Sequence, residues 1–511
     1  MGFFTAVSRV LGFVRDCLIA VHYGTSDVAQ AFVVAFRIPN LLRDMVAEGA
    51  ANSAFIPVLS QTRQKEGTKG WKLLAQALWS RIIIGFVGLS ALGVIGAPWL
   101  VLFVAPGFEN DPQLLAHAVR LTRILFPLIG LVAASAFCMG VLNSIHHFTL
   151  PSMGPAILNI CMITGIYCWR PDALGLSWGV IVGGIIQLCI QLPALSRAGI
   201  SLRINVRTHP GVARIRRLLV PRIAGTGVYQ ISVLVDTIFA SFPILVGTGG
   251  IAALYFAQRF LQLPMALFGI SLAQAALPAM SGFVAAGDKK AVKETCLTAL
   301  RSSLFVAIPA SAGLIVMARP IIATLLERGA FSSLATDQTV VTLQWYAVGL
   351  ASMCSVKVLA NTLYAFHDTW TPVKAAAVAL TANIVLNFML VWKMGLAGLA
   401  LATSLSSTLN GFQLYRAVKK KIGPFNRKLR YWLLRVAAAA AAMGFWVAGM
   451  WNSGVRTFGW THPAALIGWL GAVIVSGILI FLLFGFLLKV EEASQFGRWA
   501  AARFLKAAQK P

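Results

Sequence analysis

Ionisable residues of this chain stand inside apolar segments, where charge is costly and function is the usual reason for it. Over three segments they are Arg9, Arg15, Asp16, Arg37, Arg43, Asp44, Glu48 and Arg259, and the polar Asn40 stands among them. A charged side chain at the centre of a membrane helix costs roughly 2.5–3.5 kcal/mol on insertion scales. Arginines gathered between helices favour an anionic ligand, above all phosphate, which they bind through paired donors.

These charges also have a structural interpretation. Single arginines near helix ends can extend to the membrane surface. Arg9 could pair with Asp16, which stands seven residues later on the same helical face. Because the arginines are spread over both halves of the chain, we favour a cationic cavity over the structural interpretation.

A second group of residues is rich in oxygen atoms. Asp236 is the single acid of its apolar segment, Asn383 and Asn387 are four residues apart on one predicted helix, and Thr403 lies in the next. Hard cations such as sodium take carboxylate, amide and hydroxyl oxygens as ligands. Hydrogen bonding between helices is the alternative use of Asn and Thr in membranes, and the residues alone favour it.

The composition indicates the class of protein and the type of secondary structure in which these residues lie. Of the 511 residues, 58% are hydrophobic and 12% are charged, whereas a soluble domain has roughly 45–50% apolar and about 25% charged residues. The mean hydropathy is +0.78. These values exclude a soluble enzyme, a disordered chain and a fibrous repeat, and long apolar runs do not fit β-barrel strands. We therefore predict an all-α polytopic membrane protein.

Apolar runs of roughly 20 residues, the length that crosses a bilayer core, indicate about fourteen spans. They are predicted at residues 3–23, 28–58, 78–104, 115–142, 150–169, 174–195, 218–245, 250–282, 292–326, 338–365, 373–392, 395–416, 430–451 and 463–488. Lys and Arg are concentrated in alternate loops, such as QTRQKEGTKGWK after the second span and RAVKKKIGPFNRKLR after the twelfth. Positive loops remain cytoplasmic, so we predict that both termini are cytoplasmic.

The net charge of +27 has the same origin. Excess Lys and Arg in a membrane protein retain loops in the cytoplasm and attract anionic lipid. We expect no nucleic acid partner, because no soluble domain displays a basic face. The sequence contains no P-loop, HExxH, GxSxG or metal-spaced histidine motif, so we expect a transporter rather than an enzyme.

Two proline motifs recur at one offset. SAFIPVLS and QAALPAMS place Pro57 and Pro278 221 residues apart, and HHFTLP and HDTWTP place Pro151 and Pro372 at the same separation. Matches at corresponding spans predict two parallel six-helix lobes with two helices added. Parallel halves around a midplane cavity are a transporter architecture.

The repeat and the spans together predict the organisation of the chain. We assign an N-lobe with spans one to six to residues 1–200 and a C-lobe with spans seven to twelve to residues 201–421. Spans thirteen and fourteen occupy 422–490. Residues 491–511 are predicted as a basic amphipathic tail that lies on the cytoplasmic membrane surface.

Several motifs resemble the MurJ (MviN) family. They are SRVLGFVRD at 8–16, AFRIPNLLRDMVAEGAANSAFIPVLS at 35–60, APGF at 105–108, FASF at 239–242, YFAQRFLQLP at 255–264 and TPVK at 371–374. This family flips lipid II, the undecaprenyl-diphosphate-linked peptidoglycan precursor, and belongs to the multidrug/oligosaccharidyl-lipid/polysaccharide exporter superfamily. The resemblance implies alternating access across the bacterial inner membrane, a role in cell wall synthesis, and a groove for the lipid tail at spans thirteen and fourteen.

The resemblance also implies site residues and partners. The family's substrate-binding cavity falls on Arg9, Arg15, Asn40, Arg43, Glu48 and Arg259, and its sodium site falls on Asp236, Asn383, Asn387 and Thr403. No cofactor is expected apart from sodium, which with the membrane potential is the candidate driving force. The expected partners are lipid II, membrane lipids and the cell-wall synthesis machinery, with the chain itself as a monomer.

This chain departs from the family pattern at several positions. Gln30, Gln258, Gln262 and Asn387 stand where many members have acids, and Asp44 stands where a second Arg often follows Arg43. These changes leave the coupling ion open, along with any proton relay. Flipping of another polyprenyl-diphosphate glycan and drug or cation antiport remain as alternatives. A membrane glycosyltransferase is disfavoured, because it would need a catalytic base and usually a large extramembrane loop.

Overall fold

The computed structural model of this chain describes residues 2–43, 55–145, 147, 149–169, 171–200, 203–204, 208–425, 428–458 and 463–495. Within these ranges the chain is helical and contains no strand, as the composition predicts. The α-helices in chain order are α1 (Gly2–Tyr23), α2 (Asp27–Arg43), α3 (Ile56–Ile95), α4 (Ala97–Val104), α5 (Pro112–Leu125), α6 (Leu128–Ser144), α7 (Thr149–Cys168), α8 (Leu174–Arg197), α9 (Pro210–Ala240), α10 (Pro243–Val246), α11 (Gly250–Pro264), α12 (Ser271–Ala285), α13 (Lys289–Leu326), α14 (Ser333–Val348), α15 (Leu350–Ala365), α16 (Trp370–Met394), α17 (Leu396–Ile422), α18 (Lys428–Phe458) and α19 (Pro463–Leu487).

A described helix overlaps each of the fourteen predicted spans, and residues 44–54 of the second span lie outside the described residues. By length and composition, nine helical stretches of the described residues could each cross a membrane, or ten if the bent pair of α14 and α15 is one span. The helices α1 and α2, which carry most of the charges discussed above, are outside that set. The charges of α1 and α2 lower the apolar character of these two helices, whereas Arg259 lies in a stretch that belongs to the set, Gly250–Ala285.

The helix starts repeat with the offset that the proline motifs indicate. Helices α5 and α14 begin 221 residues apart, and so do α7 and α16. Pro151 and Pro372 are each the third residue of their helix, where a missing N–H leaves no hydrogen bond unmade. The other motif matches less closely, because Pro57 lies in the first turn of α3 whereas Pro278 lies inside α12.

Aspartate side chains cap the N-termini of two helices, outside the apolar core. Oδ1 of Asp111 accepts hydrogen bonds from the N–H groups of Gln113 and Leu114 at 3.1 and 3.0 Å, at the start of α5. Oδ1 of Asp288 accepts from the N–H of Ala291 at 2.9 Å, at the start of α13. A carboxylate at this position satisfies amide donors that have no partner in the helix, and its charge favours the positive end of the helix dipole.

The chain divides by its contacts into two compact units. The first comprises Met1–Ala252 and Arg328–Ser332, and the second comprises Ala253–Glu327 and Ser333–Pro511. Helix α9, the seventh predicted span, therefore packs with the helices before it. The assignment of lobes at residues 1–200 and 201–421 stays a prediction.

Each unit has its own apolar core. In the first unit the core lies where α3, α6 and the start of α9 meet, and it includes Trp71, Leu74, Phe137 and Ile215. In the second unit α18 and α19 pack against α13, and the core there includes Val436, Val473 and Phe481. The helices that follow the predicted C-lobe are thus part of the packed body of the second unit.

Candidate functional site

Arg15 is buried in the first unit, with 9% of its surface exposed, between α1 and α7. Its Nε and Nη2 donate to Oδ1 of Asp16 at 3.0 and 2.7 Å. Its Nη1 donates to Oδ1 of Asn159 at 2.8 Å. A guanidinium held by a carboxylate and an amide in a buried place keeps its charge and a defined orientation.

The pairing expected for Asp16 therefore differs from the observed one. The sequence suggests Arg9 as a partner because the two residues share a helical face, but the ion pair of 2.7 Å joins Asp16 to its neighbour Arg15. Arg9 itself is exposed on α1. Adjacent side chains of a helix can meet when one of them is as long as arginine, which face periodicity does not consider.

The span-two residues are only partly within the described chain. Asn40 is half-buried in α2, directly after the buried Pro39. Arg43 is the last residue of α2, and its side chain lies outside the described part. Glu48 and Gly49 also lie outside the described residues.

Arg37 is a further residue of this region, and the set of expected site residues omits it. Its Nη1 donates to the carbonyl of Val233 at 3.1 Å and to the hydroxyl of Thr237. These bonds join α2 to the turn of α9 that carries Asp236, which is only 2% exposed. The available signal was the charge of Arg37 beside Pro39 in an apolar segment, the criterion that selected the other arginines.

Arg259 belongs to the second unit and lies near the end of α11. Its Nη2 donates to the Tyr255 hydroxyl at 3.1 Å and its Nη1 donates to Oε1 of Gln262 at 3.1 Å. The guanidinium carbon lies 4.5 Å from the centre of the Tyr255 ring, within the range of a cation–π contact. A π-helix at Met265–Ile270 follows α11 directly, and such bulges are frequent at functional sites.

Two glutamines stand beside Arg259 at positions where many family members have acids, and the structure shows what each of them binds. Gln262 accepts a hydrogen bond from Arg259 as a carboxylate would, but it carries no charge. Gln258 donates to the hydroxyl of Tyr346 at 3.2 Å. Neither amide carries a negative charge, so these two bonds orient the side chains without neutralising Arg259.

The oxygen-rich group is divided between the units, with Asp236 in the first and the other three residues in the second. Nδ2 of Asn387 donates to Oδ1 of Asn383 at 3.3 Å, and Nδ2 of Asn383 donates to the hydroxyl of Thr403 at 3.3 Å. This chain of bonds joins α16 to α17, as the hydrogen-bonding alternative predicts. Among the residues that the structure describes, no group of three or more His, Cys, Asp or Glu could hold a metal ion.

Two polar residues of α15 also escaped the sequence criteria. Lys357 is an exposed cation inside the tenth predicted span. One turn later, Nδ2 of Asn361 donates to the carbonyl of Ala273 at 2.8 Å, which joins α15 to α12. A search for charge within apolar runs would have found Lys357, but the partner of Asn361 lies 88 residues away along the chain.

The last two helices present a largely apolar surface. Nε1 of Trp446 donates to the hydroxyl of Ser476 at 3.2 Å, between α18 and α19. Phe445 and Leu479 are exposed, by 82% and 61% of their surfaces. Exposed apolar side chains on membrane helices are suited to contact with acyl chains.

The chain was compared with families of known proteins, and one family matches most of its length. The model of the family described as "Lipid II flippase MurJ" matches residues 19–462. The chain is 33% identical over 473 residues to a lipid II flippase MurJ of Burkholderia cenocepacia, with 90% of each chain covered. It is 35% identical over 508 residues to a probable lipid II flippase MurJ of Vibrio cholerae, with 96% of each covered.

Solved structures give the same result. A structure described as lipid II flippase MurJ in an inward closed conformation superposes with a TM-score of 0.78 at 27% identity, and covers 95% of this chain and 98% of that one. An inward-facing multidrug resistance transporter of the MATE family, in the MOP superfamily, superposes with a TM-score of 0.69 at 13% identity, and covers 81% and 94%. The second likeness shows a shared fold.

Proposed function

Because the chain belongs to the MurJ family of lipid II flippases, we propose that it moves lipid II from the cytoplasmic to the periplasmic leaflet of the bacterial inner membrane. The observation that carries this proposal is the family match along nearly the whole chain. The protein acts as a transporter by alternating access and supplies the lipid-linked precursor for peptidoglycan synthesis. Both termini lie in the cytoplasm, which the alternation of basic loops supports.

The arginines supply the chemistry that a diphosphate requires. Moving a diphosphate and a polar head through bare hydrocarbon would cost many kcal/mol, because desolvated charge has no partner there. A hydrated cavity with Arg9, Arg15, Arg43 and Arg259 lowers that cost. Asn40 and Glu48 complete the polar lining of this site. The substrate then favours one conformation to the extent that it binds that conformation more tightly.

The lipid tail takes a separate path. It remains in the bilayer along the apolar surface of α18 and α19, within residues 422–490, while the head group crosses the cavity. Support comes from the exposed apolar side chains Phe445 and Leu479 on these helices. The basic tail at 491–511 binds the anionic surface of the cytoplasmic leaflet, for which its composition is suited.

A sodium ion bound by Asp236, Asn383, Asn387 and Thr403 would contribute to the driving force, together with the membrane potential. The donor set fits a hard cation, since it offers a carboxylate, two amide oxygens and a hydroxyl. The bonds that join Asn383 to Asn387 and Thr403 equally suit a role in helix packing. The response of the protein to sodium distinguishes these two roles.

The test is complementation of a strain depleted of its own flippase, with the protein level monitored. Ala at Arg15, Arg43 or Arg259 should abolish growth and lipid II exposure on the outer leaflet, while Lys should rescue only in part because it lacks the bidentate fork. Arg319→Ala is the matched control, since Arg319 pairs with Asp337 in an exposed place. Full growth from the triple Ala variant would contradict the cationic-cavity mechanism.

A further inference from the structure

Arg15 donates hydrogen bonds to Asp16 on one side of its guanidinium and to Asn159 on the other. These two partners affect how Arg15 can bind a substrate anion. We propose that Asp16 occupies the place of the substrate phosphate on Arg15 when the site is empty, and that Asn159 is the positioning residue that orients Arg15 for either anion. The proposal rests on the proposed function, because it takes an anionic phosphate as the ligand of Arg15. It adds two residues to the binding mechanism, a competing anion and an orienting amide.

The geometry separates the two roles. Asp16 accepts from Nε and Nη2 of Arg15 through a single oxygen, Oδ1, at 3.0 and 2.7 Å. That edge of a guanidinium is one that binds phosphate or carboxylate through parallel donors. Asn159 takes the remaining terminal nitrogen, Nη1, at 2.8 Å. One edge therefore carries an exchangeable anion, and the opposite side carries a neutral anchor.

The orientation of Asn159 is itself determined by two bonds of opposite polarity. Its Oδ1 accepts from Arg15, and its Nδ2 donates to the carbonyl of Ser8 at 3.0 Å. Both contacts are with α1, nearly two turns apart. Gly12 lies between them on α1, and a Cβ there would be in ordinary van der Waals contact with Nδ2 of Asn159, at 3.5 Å. The amide of Asn159 can satisfy both groups only when α1 and α7 hold this register.

The charges explain why the two partners differ. A buried arginine without a counter-ion is strongly unfavourable, so the empty site needs an anion, which Asp16 supplies. A phosphate that replaces Asp16 makes the same bonds to Nε and Nη2 of Arg15. Its net binding free energy is reduced by the cost of breaking the Arg15–Asp16 ion pair. Asn159 adds no charge and does not compete with the phosphate. Asp16 should therefore lower the affinity for the substrate, whereas Asn159 should raise it.

The experiment measures binding of undecaprenyl diphosphate to the purified full chain in detergent, together with the apparent melting temperature. Asp16→Asn should tighten binding about tenfold, and Asn159→Ala should weaken it about tenfold, as expected for one hydrogen bond to a charged group. In an Arg15→Ala background both changes should fall below about twofold, because the shared partner is gone. Thr164→Ala is the control on the same helix, since its hydroxyl bonds only the carbonyl of Ile160 in α7.

The opposite signs make the outcome decisive. If Asp16→Asn weakens binding as Asn159→Ala does, with lower melting temperatures for both, the cluster is a structural contact between helices and the proposal is wrong. If neither variant changes affinity while Arg15→Ala removes it, the proposal is also wrong, but the cationic site stands. If Arg15→Ala leaves affinity unchanged, the proposed diphosphate site fails instead. Should Asn159→Ala not accumulate, the sign for Asp16→Asn alone decides.

Discussion

The backbone N–H of Ala330 donates to the carbonyl of Val21 at 2.8 Å. This bond joins the segment Arg328–Ser332, which follows α13, to the end of α1, and both belong to the first unit. Phe331 of the same segment is 2% exposed. Gly24 has φ +57° and lies so close that a Cβ there would be 2.2 Å from the carbonyl oxygen of Ala330. The contact therefore requires a glycine for two separate reasons.

We expect Gly24→Ala to lower the apparent melting temperature and the flipping activity. Positive φ in a non-glycine residue costs about 1 kcal/mol or more, and the backbone clash adds to that cost. Thermal unfolding in detergent measures the effect. Gly287→Ala is the matched control, because Gly287 has φ +74° with open space around its Cβ position. Equal losses in both variants would show that the close approach to Ala330 is unimportant.

Asp368 lies just before α16 and gives a prediction about pH. Its Oδ1 accepts from the N–H of Thr371 at 3.1 Å, its Oδ2 accepts from the Thr371 hydroxyl at 2.9 Å, and Nζ of Lys421 lies 3.6 Å from Oδ2. Partial burial raises the pKa of Asp368, but the bonds to Thr371 and the charge of Lys421 outweigh it, so the pKa is lowered from its ordinary value. The carboxylate therefore stabilises the folded protein above the unfolded pKa of about 3.9.

This contribution is lost as the pH falls through the lowered folded pKa of Asp368. We expect Asp368→Asn, which keeps an acceptor for Thr371 but loses the charge, to lower the melting temperature at pH 7 and to matter less near pH 3. The size should be at most about 1 kcal/mol, because the pair with Lys421 is partly exposed. A difference between variant and unmodified protein that grows towards low pH would contradict the assignment.

Arg301 connects three parts of the second unit. Its Nε lies 2.9 Å from Oε1 of Glu492, and its Nη2 lies 2.9 Å from Oε2 of Glu491. The Trp432 indole N–H donates to Oε2 of Glu492 at 2.7 Å, and the guanidinium lies 5.2 Å from the Trp432 ring centre. The cluster joins α13 and α18 to the segment after α19.

We expect Arg301→Ala to destabilise the protein by about 1–3 kcal/mol, since it leaves the partly buried carboxylate of Glu492 without its cation and removes the cation–π contact with Trp432. Arg301→Lys should recover part of the loss. Limited proteolysis near residue 495 and the melting temperature would measure it. Arg319→Ala serves as the comparison, because its ion pair is more than half exposed. Identical behaviour of the two Ala variants would argue against the cluster as an anchor.

Topology provides a direct test of the span assignment. Reporter fusions after Lys65 and Lys420 should read cytoplasmic, and fusions after Glu109 and Ser333 should read periplasmic, because basic loops remain inside. An additional fusion after Arg207 should read cytoplasmic. One inverted result in the middle of the chain would break the fourteen-span arrangement.

The sodium proposal depends on Asp236. Asp236→Asn should remove any difference between sodium and potassium in the conformational equilibrium, because the carboxylate supplies the only formal negative charge of the proposed ligand set. Accessibility of single cysteines on α16 and α17 to a water-soluble reagent would report the equilibrium. An unmodified protein that responds equally to both ions would refute the site and leave the hydrogen-bond role of Asn383 and Asn387.

The sequence by itself determined the helices and their repeat. Span positions follow from apolar runs, since a bilayer sets one length for every helix. The 221-residue offset of the proline motifs also appears in the starts of α7 and α16. These features are local, because composition and hydrophobicity of a segment decide whether it forms a membrane helix.

Only the tertiary structure decided how the polar residues are paired. Arg15 meets Asn159 across 144 residues, and Arg37 meets the hydroxyl of Thr237 across 200. Helix periodicity predicts which side chains share a face, but it does not determine which helices are neighbours or how each is rotated. The sequence therefore indicated charged helices and an anionic ligand, while the packing of α1 on α7 and the approach of Arg37 to α9 decided which partner these arginines have.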